Sequence, residues 1–220
     1  MLEFPDGESR FFISGPCGQL QAASMVKSDV SESADLQGVV TVVCHPHSLM
    51  GGTMNNKVVH TVARSHRDLG RRVVRFNFRG VEKSEGEYAN GIGEVDDLMA
   101  VLSWVKLVRP NDRIVLAGFS FGSYVVTRAL QQALSLGFDV ISLLLIAPAV
   151  ENYDFDAFTS FDVPLGVVVG DSDEVVDPAA IYHWFDTVAT SKQLLTLKGA
   201  GHFFHGQLTE LRGLVEQLSS

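Results

Sequence analysis

Residues 115–123 read Val-Leu-Ala-Gly-Phe-Ser-Phe-Gly-Ser and contain the pattern G-x-S-x-G as Gly118, Ser120 and Gly122. A hydrophobic run enters this pattern and a segment of helical period leaves it, the setting of a sharp strand-to-helix turn that exposes a serine hydroxyl. Glycines on either side of the serine keep side chains out of the space where strand and helix pass close. A serine hydroxyl is a weak nucleophile unless a base removes its proton and a third group orients that base. A histidine and an acid must therefore come from elsewhere in the chain.

Among seven histidines, His202 stands out. It lies in Lys198-Gly-Ala-Gly-His-Phe-Phe204, a glycine-rich loop after the last hydrophobic run, which can carry an imidazole to the end of a sheet. His60, His66 and His183 fall inside helical patterns, His205 is a neighbour, and His45 and His47 belong to a different segment. The acid is expected in Gly170-Asp-Ser-Asp-Glu-Val-Val-Asp177, just after a β-branched run. Asp177 precedes Pro178 and suits a helix N-cap, and Asp171 suits a tie within the loop, so Asp173 is the residue expected to orient the histidine. The proposed nucleophile, acid and base thus follow one another in the order Ser120, Asp173, His202.

A developing oxyanion needs backbone donors. Phe121, next to the serine, supplies one N–H, and Cys44-His-Pro-His-Ser-Leu-Met-Gly-Gly-Thr53 should supply the other. Pro46 has no N–H, so His47 is the first expectation, with Leu49 and Met50 open. His45 and His47, two apart on an extended segment, would also share a face as metal ligands do. No HExxH pattern or cysteine cluster accompanies them, and no metal is expected.

Positioning these residues requires strands that end together. Runs rich in Val, Ile and Leu at 39–44, 72–78, 114–119, 140–146, 165–169 and 194–197 show little polar alternation, as in strands covered on both faces. Helical patterns lie between them at 54–69, 92–108, 122–136, 178–189 and 207–218, with Gly70 and Gly137 at helix ends and Asp177-Pro178 at a helix start. This alternation predicts a doubly wound, mostly parallel α/β sheet. Residues 10–14 and 19–26, joined by Gly-Pro-Cys-Gly, predict an antiparallel hairpin ahead of it. The polar stretch 27–37 reads as a surface loop.

The chain has 220 residues, 46% of them hydrophobic and 20% charged, which fits one globular domain over 1–220. Twenty-six acidic against seventeen basic residues give a net charge of −9, the wrong sign for tracking nucleic acid. The balance also disfavours polyanionic substrates, unless Arg71, Arg72, Arg75 and Arg79 form a local basic patch. The longest apolar stretch, residues 141–150, is broken by Ser142 and Pro148 and is far shorter than the roughly 18–20 residues of a membrane span. The first residues lack the basic and apolar regions of a secretory signal, and two cysteines are too few for a disulfide framework. A cytoplasmic protein without membrane attachment is expected.

Four segments in order make the sequence resemble the α/β-hydrolase superfamily, and more narrowly its small bacterial serine hydrolases without a cap domain. They are Cys44-His-Pro-His with Gly-Gly-Thr-Met-Asn-Asn-Lys57, Arg75-Phe-Asn-Phe-Arg-Gly80 with Ser84-Glu-Gly86, Gly91-Ile-Gly-Glu-Val-Asp-Asp97, and Gly118 to Gly122. The resemblance implies a Ser120, Asp173, His202 triad, no cofactor, and a small acyl ester or thioester as substrate for a monomer or small homo-oligomer. Many such proteins carry His-Gly where this chain has His45-Pro46. Only about fifteen residues separate Pro148 from the next strand, too few for a cap, although Tyr153, Phe155, Phe158 and Phe161 could form a short lip or simply pack. The same triad could serve a peptidase or amidase, and such a fold could also bind a small molecule without turnover.

Overall fold

The computed structural model describes residues 3–27 and 38–220, so most of the polar stretch expected to be a surface loop lies outside the described residues. Eight strands form one sheet: β1 (Arg10–Gly15), β2 (Gly18–Met25), β3 (Val39–Cys44), β4 (Arg72–Phe76), β5 (Arg113–Phe119), β6 (Val140–Ile146), β7 (Leu165–Gly170) and β8 (Lys192–Leu197). Their spatial order is β1-β2-β4-β3-β5-β6-β7-β8. The β1–β2 hairpin pairs antiparallel within itself and, through β2, with β4, and every other pairing is parallel. This is the doubly wound sheet with an N-terminal hairpin that the strand and helix patterns predict.

Five helices cover the two faces: α1 (Lys57–Asp68), α2 (Gly93–Val108), α3 (Phe121–Ser135), α4 (Pro178–Thr187) and α5 (Leu208–Ser219). Side chains alternate across a strand, so β3 sends Val40, Val42 and Cys44 into the core shared with α2, α3 and α4, and Val43 into the core shared with α1 and α5. Both faces are therefore dry, which is why these strands show runs of Val and Leu in place of alternation. Each fully buried Val or Leu contributes about 1.5–3 kcal/mol. All the parallel strands end at one edge, and the loops leaving that edge carry Ser120, Asp173 and His202.

Three local differences from the sequence reading have physical causes. Strand β4 stops at Phe76 and not at 78, because the Phe78 amide donates to the buried ring of His45 at 3.0 Å instead of continuing the ladder. Helix α1 starts at Lys57, where the Asn56 side chain caps the Val58 amide at 2.8 Å. The four arginines do not make an open basic patch. They are buried, and Arg72, Arg75 and Arg79 pair with Asp112, Glu8 and Asp97 at 3.1, 3.0 and 2.8 Å. Arg71 lies 3.0 Å from His66 Nδ1. The aromatic segment after β6 is mainly packing: Phe155 is fully buried against Trp184, Phe158 and Phe161 lie on the core, and Tyr153 stacks on Tyr124 at 4.6 Å.

Burial drives two interior histidines to titrate far below the usual value, His45 to about 4 and His66 to about 3, with the nearby Arg71 adding to the effect on His66. Unfolded histidine binds its proton near 6.5, so between about 6.5 and those values unfolding takes up protons and stability must fall as pH falls. Each group contributes up to about 1.4 kcal/mol per pH unit in its window, and the loss saturates below its folded value. Denaturant melts between pH 7 and 5 should show this decline, and His66→Gln should remove about one proton's share of the slope. An unchanged slope in that variant would contradict the assignment.

Candidate active site

Ser120 sits between β5 and α3 with φ 53° and ψ −115°, a strained conformation for a non-glycine residue. What holds it there is contact on both sides. A Cβ at Gly118 would lie 2.3 Å from the Gly122 carbonyl oxygen, and one at Gly122 would lie 2.4 Å from that of Cys44. The Ser120 amide donates to Ile146 O at 2.9 Å and the Ser123 hydroxyl to Gly118 O at 2.8 Å, closing the turn. The serine side chain is left at the sheet edge, nearly buried but not enclosed.

His202 Nε2 lies 3.0 Å from Ser120 Oγ, and His202 Nδ1 lies 2.7 Å from Asp173 Oδ2. A carboxylate facing Nδ1 keeps the ring proton there and leaves the Nε2 lone pair toward the serine hydroxyl. The other oxygen of Asp173 accepts from the Val175 and Val176 amides at 2.8 and 2.9 Å. Burial alone would raise the Asp173 carboxyl, but the hydrogen bonds from His202 and from these two amides outweigh it and hold it below the usual carboxylate value. The imidazole is packed between Phe119 and Phe203, each ring 5.1 Å from its own.

The other aspartates of the loop have separate duties. Asp177 caps α4 by accepting from the Ala179 amide at 2.9 Å, and Asp171 accepts from the Gly199 amide. Glu174 accepts the His202 amide at 3.1 Å, and Ser172 N donates to Ala200 O at 3.0 Å. The loops after β7 and β8 are thus joined at several points on either side of the Asp173–His202 contact. An exposed glutamate in a loop of acidic residues offers no sequence signal for this duty.

On the opposite side, residues Ser48–Met50 form a single 3-10 turn after β3. The Leu49 amide donates to His47 Nδ1 at 3.2 Å and the Met50 amide to His47 O at 3.1 Å, so both are occupied. The His47 and Phe121 amides meet no acceptor among the described residues. The His47 and Phe121 rings lie 5.2 Å apart, placing the two free N–H groups on adjoining segments. His47 Nε2 lies 3.0 Å from the Tyr88 hydroxyl, a partner not anticipated from the sequence. His45 is fully buried with both ring nitrogens engaged, one with Pro46 O and one with the Phe78 amide, so it has no lone pair for a metal ion. No cluster of three or more metal-ligating side chains occurs among the described residues.

No protein-family model matches the chain. Among solved structures, an α/β serine hydrolase without a lid from Xanthomonas campestris is 42% identical, with a TM-score of 0.87 over 98% of this chain and 95% of that one. An α/β serine hydrolase homologue from Coxiella burnetii is 40% identical, with a TM-score of 0.89 over 99% and 100%. An uncharacterised protein of Rickettsia prowazekii is 29% identical over 210 residues, 91% of this chain and 84% of its own length. No helix among the described residues is long and apolar enough to cross a membrane.

Asp173→Asn tests the electrostatic reading of the site. The asparagine oxygen can keep the two loop amides, but its NH₂ faces Nδ1 and forces the imidazole proton onto Nε2, where the ring can no longer accept from Ser120. Reactivity of Ser120 toward an acyl donor should fall by about 10⁴-fold with little change in melting temperature at pH 7. A variant within tenfold of wild type would contradict the role of this carboxylate.

Proposed function

The chain belongs to the α/β serine hydrolases without a lid, and on that premise we propose that it is a carboxylesterase-type enzyme cleaving small acyl esters or thioesters through an acyl-enzyme. The observation that carries this reading is the continuous hydrogen-bonded line from Ser120 Oγ through both nitrogens of His202 to Asp173.

In acylation the Ser120 oxygen bonds to the substrate carbonyl carbon while its proton passes to His202 Nε2. Asp173 stabilises the imidazolium that forms. The carbonyl oxygen, now an oxyanion, takes hydrogen bonds from the Phe121 and His47 amides, each worth about 3 kcal/mol in the transition state. His202 then returns the proton to the departing alcohol or thiol as the carbon–oxygen or carbon–sulfur bond breaks. A water molecule repeats the sequence on the acyl-enzyme, giving the acid and restoring Ser120. No cofactor enters any step.

The surroundings favour modest, uncharged acyl groups. Leu49, Met50, Val175 and Phe203 are exposed apolar residues, each within three positions of His47, Asp173 or His202, and apolar neighbours of this kind suit an uncharged acyl group. The arginines that could have drawn in an anionic acyl group are buried in internal pairs.

Labelling with a fluorophosphonate, followed by peptide mass spectrometry, tests the activated serine. The adduct should fall on Ser120 and disappear in His202→Ala, and short p-nitrophenyl esters should be turned over by the wild type but not by Ser120→Ala. Wild-type turnover in Ser120→Ala or His202→Ala would overturn this mechanism. Matched anilides should react far more slowly than the esters, and equal rates would move the reading to an amidase.

A further inference from the structure

The proposed oxyanion site depends on one amide, that of His47, in a loop that follows a proline and cannot be tied down by a Pro46 N–H. Whatever fixes the Pro46–His47 peptide plane decides whether that amide is available. We infer that His45 is the positioning residue of the oxyanion site: its buried ring holds Pro46 O on one side and thereby turns the His47 N–H to the other, toward Ser120. This inference rests on the serine-esterase reading above.

The ring is an internal bridge. Its Nε2 lies 3.0 Å from the Phe78 amide, which can only donate, so Nε2 is the acceptor and the ring proton sits on Nδ1. Nδ1–H then donates to Pro46 O at 2.6 Å. In a trans peptide the C=O and N–H point in opposite directions, and none of the peptide bonds is cis. Holding Pro46 O against His45 therefore directs the His47 N–H away from the core, and it finds no acceptor among the described residues.

The plane is also held by Gly52, itself buried. A Cβ at Gly52 would lie 2.2 Å from Pro46 O and 2.7 Å from His47 O, so only glycine lets the loop close over the peptide, and the Gly52 amide donates to His47 O at 3.0 Å. The His45 ring packs on Phe78 at 4.5 Å, and Phe78 meets the edge of Phe121 at 5.7 Å. One packed unit therefore carries both proposed donors. Burial keeps the ring neutral, with the second, Nε2 proton lost above about 4, so the Nδ1–H donor and the Nε2 acceptor persist across neutral pH. His45 touches neither substrate nor the reacting atoms and acts through the loop.

Two variants divide the ring's duties. The His45→Gln carboxamide oxygen reaches the Nε2 position and keeps the Phe78 amide, but it provides no donor to Pro46 O. In His45→Asn the NH₂ overlays Nδ1 and keeps that donor. Folded His45→Gln should turn over p-nitrophenyl acetate with kcat lowered about 10²-fold and KM within about threefold of wild type. A trifluoromethyl ketone, whose serine adduct places an oxyanion in the same site, should lose affinity by a similar factor. His45→Asn should recover kcat to within about tenfold. If His45→Gln does not fold, Gly52→Ala presses on the same peptide and should show the same split, kcat lowered and KM unchanged. Wild-type kcat in whichever of these two variants is measured overturns the inference, as does an equal loss in His45→Gln and His45→Asn that follows their loss of folded protein. Ser120→Ala in the same assay separates the two readings. If it is inactive while His45→Gln is fully active, only the positioning role fails; if it stays active, the esterase reading fails first.

Discussion

The structure turns on a place where three backbone segments touch without side chains between them. Gly122, at the start of α3, lies so close to the end of β3 that a single methyl group would overlap the carbonyl oxygens of Cys44 and His45. Gly118, at the end of β5, is pressed against Gly122 in the same way. This contact forces the chain at Ser120 into its strained turn and sets the loop after β3 beside the first amide of α3. The proposed nucleophile and both proposed oxyanion donors are thus placed by one packing constraint. Its cost in backbone strain at Ser120, on the order of 1–3 kcal/mol, is offset by the two dry cores on either side of the sheet.

The proposed acid and base, Asp173 and His202, are placed by a different device. Strands β7 and β8 are parallel neighbours, so the loops leaving them emerge side by side, and cross-loop hydrogen bonds from Asp171, Ser172 and Glu174 fix their separation. Asp173 uses one carboxylate oxygen to brace its own loop and the other to hold His202. Inside this packed edge the carboxylate remains ionised because its hydrogen bonds outweigh the cost of burial. The reach from His202 to Ser120 then follows from the spacing of strands β5 to β8.

Much of this was legible in the residues. The strand runs at 39–44 and 140–146 coincide with β3 and β6, because dry parallel strands leave an unmistakable run of Val, Ile and Leu. The Asp177-Pro178 start of α4 was legible because a cap and an N1 proline are local signals. The turn at Gly118, Ser120 and Gly122 could be read because its geometry is set by adjacent positions. The duties of His45, Tyr88 and Glu174 could not, since each depends on a partner brought near only by the fold. Arg72, Arg75 and Arg79 could read as part of a basic patch for the same reason: their carboxylate partners Asp112, Glu8 and Asp97 are distant in sequence, and one-dimensional charge counting treats buried pairs as surface. The aromatic residues after β6 were ambiguous because Phe residues that pack and Phe residues that line a lip have the same local pattern.

Covalent acylation of Ser120 is the step on which the proposed mechanism stands. Mixing the protein with p-nitrophenyl acetate, quenching in acid within milliseconds to seconds and weighing the intact chain and its peptides addresses this directly. An acyl-enzyme mechanism requires a transient gain of one acetyl group on the peptide containing Ser120, appearing with the burst of p-nitrophenol and decaying as acetate is released. Steady release of p-nitrophenol with no initial burst and no acetylated species at any quench time would contradict it.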